Sequence, residues 1–341
     1  MIGARRVRQG TGEFLARELV RVGCQVVGVV GTRPESLEET RQALAARYGI
    51  EARGYLTVNE LVARERPDLV VVASPSEAHL EALEVALRAG CHVLCEKPLL
   101  WDSELLADDE LRDVAEEMIA ATAERLVDLA DERGRLLFLN TQWPCTLDGF
   151  RALHGPPPAA PAELSLWLGP QDPPGPRMVQ ESGSHLLSLL YALCGAEGEL
   201  EVVEVASPGA DRLELDCRYT HPRGVTRARL LLRQAPAPPR PAAYEIDGRR
   251  VDREITLPGY TFSLVAGGRR VPIPDPMGVA VERFVAGVRA GARSDRLELV
   301  QGMRHLHRLV SAVPAALTAA PGGGGFAAAP GGGGFAAAGK E

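Results

Sequence analysis

From Gly12 to about Leu100 short apolar runs alternate with helical segments, and nothing else in the chain restricts its fold as much. Phe14, Leu15, Leu19 and Val22 fall at helical spacing, and Gly23 closes that segment. Val26–Val30 is a β-branched run, Ser36–Tyr48 a second helix with Gly49 as its C-cap, and Val58–Arg64 a short third helix. Asp68–Ala73 is a further apolar run, Ser76–Ala89 a helix ended by Gly90, and His92–Leu94 another strand. Strands that are apolar throughout are buried on both faces, so the alternation predicts a parallel sheet covered by helices. Right-handed crossovers make it a doubly wound sheet.

A long helix follows over Asp109–Glu132, with Leu111, Val114, Ala115, Met118 and Ile119 on one face. Leu136–Leu139 is a further strand, and Asn140–Pro144 reads as the exit from a first domain. Beyond it come a helix near Thr146–Leu153, Pro-rich linkers at 155–161 and 169–176, and a helix over Met178–Cys194. The pattern then changes to strand-like runs at Leu200–Ala206, Leu213–Tyr219, Thr226–Leu232, Ala243–Ile246 and Tyr260–Leu264. Short connections such as Pro222-Arg223-Gly224 and Asp247-Gly248 favour antiparallel pairing. Asp275–Ala290 and Leu297–Val310 return to helix. The expectation is an α/β domain over residues 1–142, then an α+β domain over 143–318 containing a large, mostly antiparallel open sheet. Residues 319–341 carry two copies of a glycine-dominated nine-residue unit, which cannot bury enough surface to order itself.

At 341 residues the chain is long enough for two cores. A net charge of -7 argues against nucleic acid as the main partner. The acidic stretch Asp102–Glu117, eight acids against Arg112, reads as a solvated helix face. No apolar run approaches the ~20 residues that span a bilayer. Residues 1–6 lack a signal-peptide core, so the expected location is the cytoplasm. Six scattered cysteines without a C-x-x-C pair read as reduced core residues, not as a disulfide framework or metal site.

Gly10-Thr11-Gly12-Glu13-Phe14 opens the first helix, where glycines let backbone approach a pyrophosphate and the helix N-terminus offers free N–H groups. Leu15 stands where the third glycine of the usual signature is expected. Only Met1 and Ile2 precede Gly3-Ala4 as a first strand, and Arg5-Arg6-Val7-Arg8-Gln9 then intervene. Either that strand is very short or the recorded start lies downstream of the true one; the second reading is favoured. After the second strand Thr32 and Arg33 stand where an NAD-specific site usually has an acid, and suit a 2′-phosphate, although Glu35 could still play the acid. Ser74-Pro75 and His79 follow the next strand and would border a nicotinamide ribose, with His79 one layer behind. Cys95-Glu96-Lys97-Pro98 sits at the carboxyl end of a strand, where ligands of open parallel sheets bind. Glu181 and His185 are one helical turn apart, so the carboxylate could orient the imidazole for proton transfer.

Together these segments resemble the Gfo/Idh/MocA oxidoreductases, most specifically through Arg88-Ala89-Gly90-Cys91-His92-Val93-Leu94-Cys95-Glu96-Lys97-Pro98, with Gly10/Gly12, Ala73-Ser74-Pro75, His79 and Gly183-Ser184-His185 in support. The resemblance implies a Rossmann domain, a second domain whose open sheet forms a homo-oligomer face, and hydride transfer with NADP or NAD to a small-molecule substrate. It makes Lys97 the substrate-binding and proton-relay lysine, with Glu96 beside it at the cofactor, and His185 the catalytic histidine. Two positions depart from the family's sugar dehydrogenases: Glu181 replaces the usual Asp, and Ser188 replaces an acid. Both weigh against an inositol- or hexose-like substrate. Asn140–Pro144 is similar in part to the thiazoline-imine reductases of siderophore assembly, which adds an imine to the candidate substrates. Two other readings stay open: a tightly held cofactor recycled within one site, and a non-catalytic dinucleotide-sensing regulator.

Overall fold

The computed structural model describes residues 1–4, 11–102, 109–257 and 259–314, with side chains of the long helix from residue 114 onward. Gly10, the basic segment 5–9, the Leu111 side chain and the repeat tail lie outside the described residues.

The β-branched runs pair as the alternation predicts. Gly28–Val30 (β1) pairs in parallel with Arg53–Tyr55 (β2), and Leu69–Val72 (β3) with His92–Cys95 (β4), which pairs with Leu137–Leu139 (β5). Ile2 joins the two halves by bridging Val30 on one side and Val72 on the other, both in parallel. Its N–H donates to the Val71 carbonyl at 2.8 Å, and its own carbonyl accepts from Ala73 at 2.9 Å. The order is therefore β2, β1, residues 1–3, β3, β4, β5, the doubly wound order whose switch point lies beside the central strand. Helices Gly12–Arg21 (α1), Pro34–Tyr48 (α2), Val58–Glu65 (α3) and His79–Arg88 (α4) make the crossovers. A capping box between Thr57 and Glu60 starts α3, and Gly49, with φ of 64°, ends α2.

Gly12 carries the closest packing of this domain. A Cβ there would lie 2.4 Å from the Gly3 carbonyl oxygen and 2.8 Å from the Ala4 Cα. Both neighbours are backbone and cannot swing aside. Gly12→Ala should therefore cost ~1–3 kcal/mol, typical of overpacking; urea unfolding of both proteins checks it, and an unchanged midpoint would refute the packing role.

The second domain is built on eight strands in the order β13-β12-β11-β10-β6-β9-β8-β7. Three of them extend the five strands expected from the sequence. Glu163–Leu168 (β6), placed between the two Pro-rich linkers, inserts at the centre and runs parallel to Gly224–Arg233 (β9). The others in the sheet are antiparallel: Glu199–Ala206 (β7), Arg212–His221 (β8), Ala242–Ile246 (β10), Arg249–Thr256 (β11), Thr261–Ala266 (β12) and Arg269–Ile273 (β13). The sequence reading passed over β2, β6, β11 and β13. Three of these are short, and β11 is so charged that its alternation is masked.

The inner face of this sheet shares a core with helices Leu147–His154 and Pro176–Cys194, including Phe150, Leu186, Leu189, Leu190 and Tyr244. The chain then returns to the first domain. Met277, Val281, Phe284 and Val285 of helix Pro276–Ala290 pack with Leu15, Leu19, Val29 and Leu136, and Phe284 meets Phe138 at 5.9 Å between ring centroids. Helix Arg296–Ser311 lies along the long helix, with Arg308 on Glu116 and Arg304 on Glu117. The expected apolar face of that long helix is corrected here: Ala115 and Ile119 are buried, whereas Val114 and Met118 face solvent. No helix among the described residues is long and apolar enough to cross a membrane.

Candidate active site

Lys97 is held at the end of β4 by a buried bracket. The Glu96 N–H donates to the Val72 carbonyl at 2.8 Å, and the Glu96 carboxylate accepts from Asn140 Nδ2 at 2.7 Å. Asn140 in turn donates its backbone N–H to the Cys95 carbonyl at 2.7 Å, joining the ends of β4 and β5. Glu96 is thus buried and fixes the loop that carries Lys97. His79 clamps the other side. Its Nδ1 lies 3.0 Å from the Pro98 carbonyl and its Nε2 2.9 Å from the Ser74 carbonyl, tying the Lys97 loop to the turn after β3. His79 is buried and acts by positioning, one layer behind the cleft.

The two domains meet at Lys97. Its ammonium donates to the Glu181 carbonyl at 2.7 Å and to Glu181 Oε2 at 3.0 Å. Glu181 and His185 both project from helix Pro176–Cys194. Their spacing suggested that Glu181 orients His185, but the carboxylate is engaged by Lys97, whose charge holds it below the usual carboxylate range. The imidazole instead rests edge-on against Trp143, with ring centroids 6.2 Å apart. Burial, then the charges of Lys97 and Arg253, push the His185 pKa well below its ordinary value, so the ring is neutral at pH 7. Ser188 donates its hydroxyl to the His185 carbonyl at 2.9 Å and so serves the helix backbone.

Lys97, Glu181, His185 and Trp143 line a single open cavity of about 420 Å³. Arg253, Arg240, Arg177 and Tyr260 complete its far side. Trp143 and Asn140 entered the sequence reading only as parts of one motif, and Arg253 and Arg240 were missed. The signal for Arg253 is its phase: it shares the inner row of β11 with Val251 and Ile255, an odd place for a charge.

The residues beside the switch point fit a dinucleotide. Gly3 ends the central strand with φ of +75°, and a Cβ there would meet Ala73 and Ser74 backbone at 2.6 Å. Gly3 and Gly12 therefore hold the turn and the close backbone packing at this point, whereas Gly10, which the sequence reading joined to Gly12, lies outside the described residues. Thr11 makes no side-chain cap, so among the described residues no side chain caps the first turn of α1, and its N–H groups suit an anion. Ser74 Oγ is buried without a partner among the described residues. Thr32 and Arg33 are exposed just past β1, beside the central strand, while Pro75 leads the turn into Ser76–Ala78. Two other residues of the Gly10–Phe14 stretch make contacts within the protein. Glu13 is buried and bonded by Arg47 at 2.7 Å, tying α1 to α2. Phe14 packs on Tyr260 of the second domain at 5.5 Å.

Comparison with known proteins places the first domain. D-glucoside 3-dehydrogenase of Escherichia coli (strain K12) is 46% identical over 57 residues, 17% of this chain and 16% of that protein. Inositol 2-dehydrogenase/D-chiro-inositol 3-dehydrogenase of Shouchella clausii is 34% identical over 121 residues, 35% of this chain and 33% of that protein. The matched stretches thus span a third or less of these two relatives. Likeness in fold extends much further. UDP-N-acetylglucosamine 3-dehydrogenase GnnA from Acidithiobacillus ferrooxidans superposes with a TM-score of 0.61 at 21% identity, covering 89% of this chain and 93% of that one. KijD10, a 3-ketoreductase from Actinomadura kijaniata in complex with NADP, gives 0.60 at 21% identity over 92% and 95%. Residues 1–141 match the Gfo/Idh/MocA oxidoreductase family in its NAD-binding Rossmann fold.

Proposed function

We propose that this chain is an NAD(P)-dependent oxidoreductase that passes hydride between nicotinamide C4 and a secondary alcohol/ketone carbon, or an imine, of a small polar substrate. One observation carries the reading: a lysine from the carboxyl end of β4 and a neutral histidine from the second domain open onto one cavity. A nicotinamide bound along the strand ends supplies the hydride acceptor or donor. The chain's own residues then manage the proton and the charge. His185, neutral, takes the hydroxyl proton when an alcohol is oxidised and returns it, as imidazolium, in the reverse direction. The Lys97 ammonium stabilises the developing alkoxide, and Glu181 holds that ammonium at the cavity edge. Relatives named as inositol and glucoside dehydrogenases, and a neighbour bound to NADP, agree with this chemistry. The outer face of the eight-stranded sheet is the surface through which two copies would pair.

NADPH is the preferred partner in this reading, because Arg33, exposed and without an ion pair among the described residues, stands where an acid would select NADH. Arg33→Ala should weaken NADPH by ~1–3 kcal/mol and leave NADH nearly unchanged. Fluorescence titration of both dinucleotides measures this, followed by an absorbance screen of ketones, imines and alcohols for turnover. Equal affinities would remove the NADP preference; failure of both dinucleotides to bind would remove the enzyme reading.

A further inference from the structure

The far wall of the active cavity carries a charge that the proposed hydride transfer does not use. Arg253 sits on the inward row of β11, paired in register with Ala242 and Leu264, both buried and apolar. Its guanidinium lies over the Trp143 ring at 5.2 Å and gives one N–H to the Arg240 carbonyl at 3.3 Å. Its Nε is buried with no hydrogen-bond partner, and no carboxylate forms an ion pair with it among the described residues. Burial pulls its pKa down to about 10. A buried cation is costly unless a counter-charge meets it. Arg240 stands next to it without an ion pair among the described residues; it bonds Gln171 Oε1 at 3.3 Å and the Ala235 carbonyl at 3.0 Å. Among the described residues lining the cavity, Lys97, Arg177, Arg240 and Arg253 face two carboxylates, Asp172 and Glu181. Lys97 already pairs with Glu181, and Arg177 lies 3.6 Å from Asp172.

We infer that Arg253, with Arg240 beside it, binds an oxyanion carried by the substrate, a carboxylate or a phosphate, and so fixes the reacting carbon against Lys97 and His185. The inference rests on the oxidoreductase reading for the placement of the reacting carbon, but not for the anion itself. A planar guanidinium suits either group through paired N–H donors. Trp143 holds the guanidinium plane, so the fork is preset before the anion arrives.

Malonate and inorganic phosphate, each titrated against sodium chloride of equal ionic strength, separate the two sources. Intrinsic tryptophan fluorescence and melting temperature are read on the dinucleotide-free protein. One probe should bind the wild type and raise its melting point, and Arg253→Met should weaken that probe at least tenfold. Arg253→Met alone should melt no lower than wild type, since it deletes an uncompensated charge; a structural arginine would show a clear fall. Arg253→Lys, which keeps the charge but not the fork, should weaken the probe at least threefold, and it decides the matter should the Met variant fail to fold. Neither probe binding the wild type better than chloride, or equal binding by the variants, would overturn the inference. Wild-type turnover of neutral ketones under those same results would leave the oxidoreductase reading standing.

Discussion

Lys97→Ala and His185→Ala should each lower turnover by ~100-fold or more while leaving NADPH affinity within a few-fold of wild type. Among the described residues Lys97 bonds Glu181 and His185 rests on Trp143, neither of them on the turn at Gly3 or the first turn of α1, so phosphate binding should not notice their loss. The double variant should be little worse than either single one, because the two groups act on one proton and one oxygen. The pH profile adds a separate test. An imidazole whose pKa lies well below its ordinary value is already a base throughout the neutral range. The rate of alcohol oxidation should thus be flat where an ordinary histidine would titrate, and fall only at lower pH. Wild-type turnover by both variants on a substrate found by the screen would reject these roles. A conventional histidine limb near pH 6.5 would reject the neutral, buried setting of His185.

Glu298→Gln should stabilise the protein at alkaline pH far more than at acidic pH. Glu298 lies in the first turn of helix Arg296–Ser311, and burial, then the charge of Asp295, pushes its carboxyl up to about 7. The unfolded chain ionises this group first, near the usual glutamate value. Stability from the protonated folded form is therefore complete below that value and is lost as pH climbs toward 7. Removing the acid should gain roughly 3 kcal/mol at pH 8 but less than about 1 kcal/mol at pH 5. Urea unfolding at the two pH values measures the gap. An equal gain at both would show that Glu298 ionises normally in the fold.

Much of this molecule could be read from the chain because its first half states one physical requirement repeatedly. Runs such as Val70–Val72 are apolar on every residue and can exist only between two helical layers. Lys97 was legible for a related reason: a lysine directly after such a strand has no packing role. The second domain was harder. β6 is marked by Leu164 and Leu166 but flanked by prolines that read as linker, and its central position arises from pairing with strands over 60 residues away. At the site, spacing alone joined Glu181 to His185, whereas the partner that claims Glu181 comes from the other domain. Helical periodicity reports neighbours on one helix and says nothing about a cation arriving from a different sheet. Arg253 stayed hidden for the same reason: its strand reads as a charged hairpin until the sheet shows which row faces inward.

The packing of helix Pro276–Ala290 on Leu15 and Leu19 sets the order in which this protein can be completed. Nucleotide-binding halves of two-domain chains commonly finish folding while the rest is still being synthesised. Here the first half lacks a cover for α1 until residues near Met277, Val281 and Phe284 leave the ribosome. At ordinary elongation rates that delay is on the order of 10 s after the last strand of the first sheet appears. During it, a leucine-lined seam stands open on the nascent chain, so synthesis itself holds the vulnerable interval in the life of this fold.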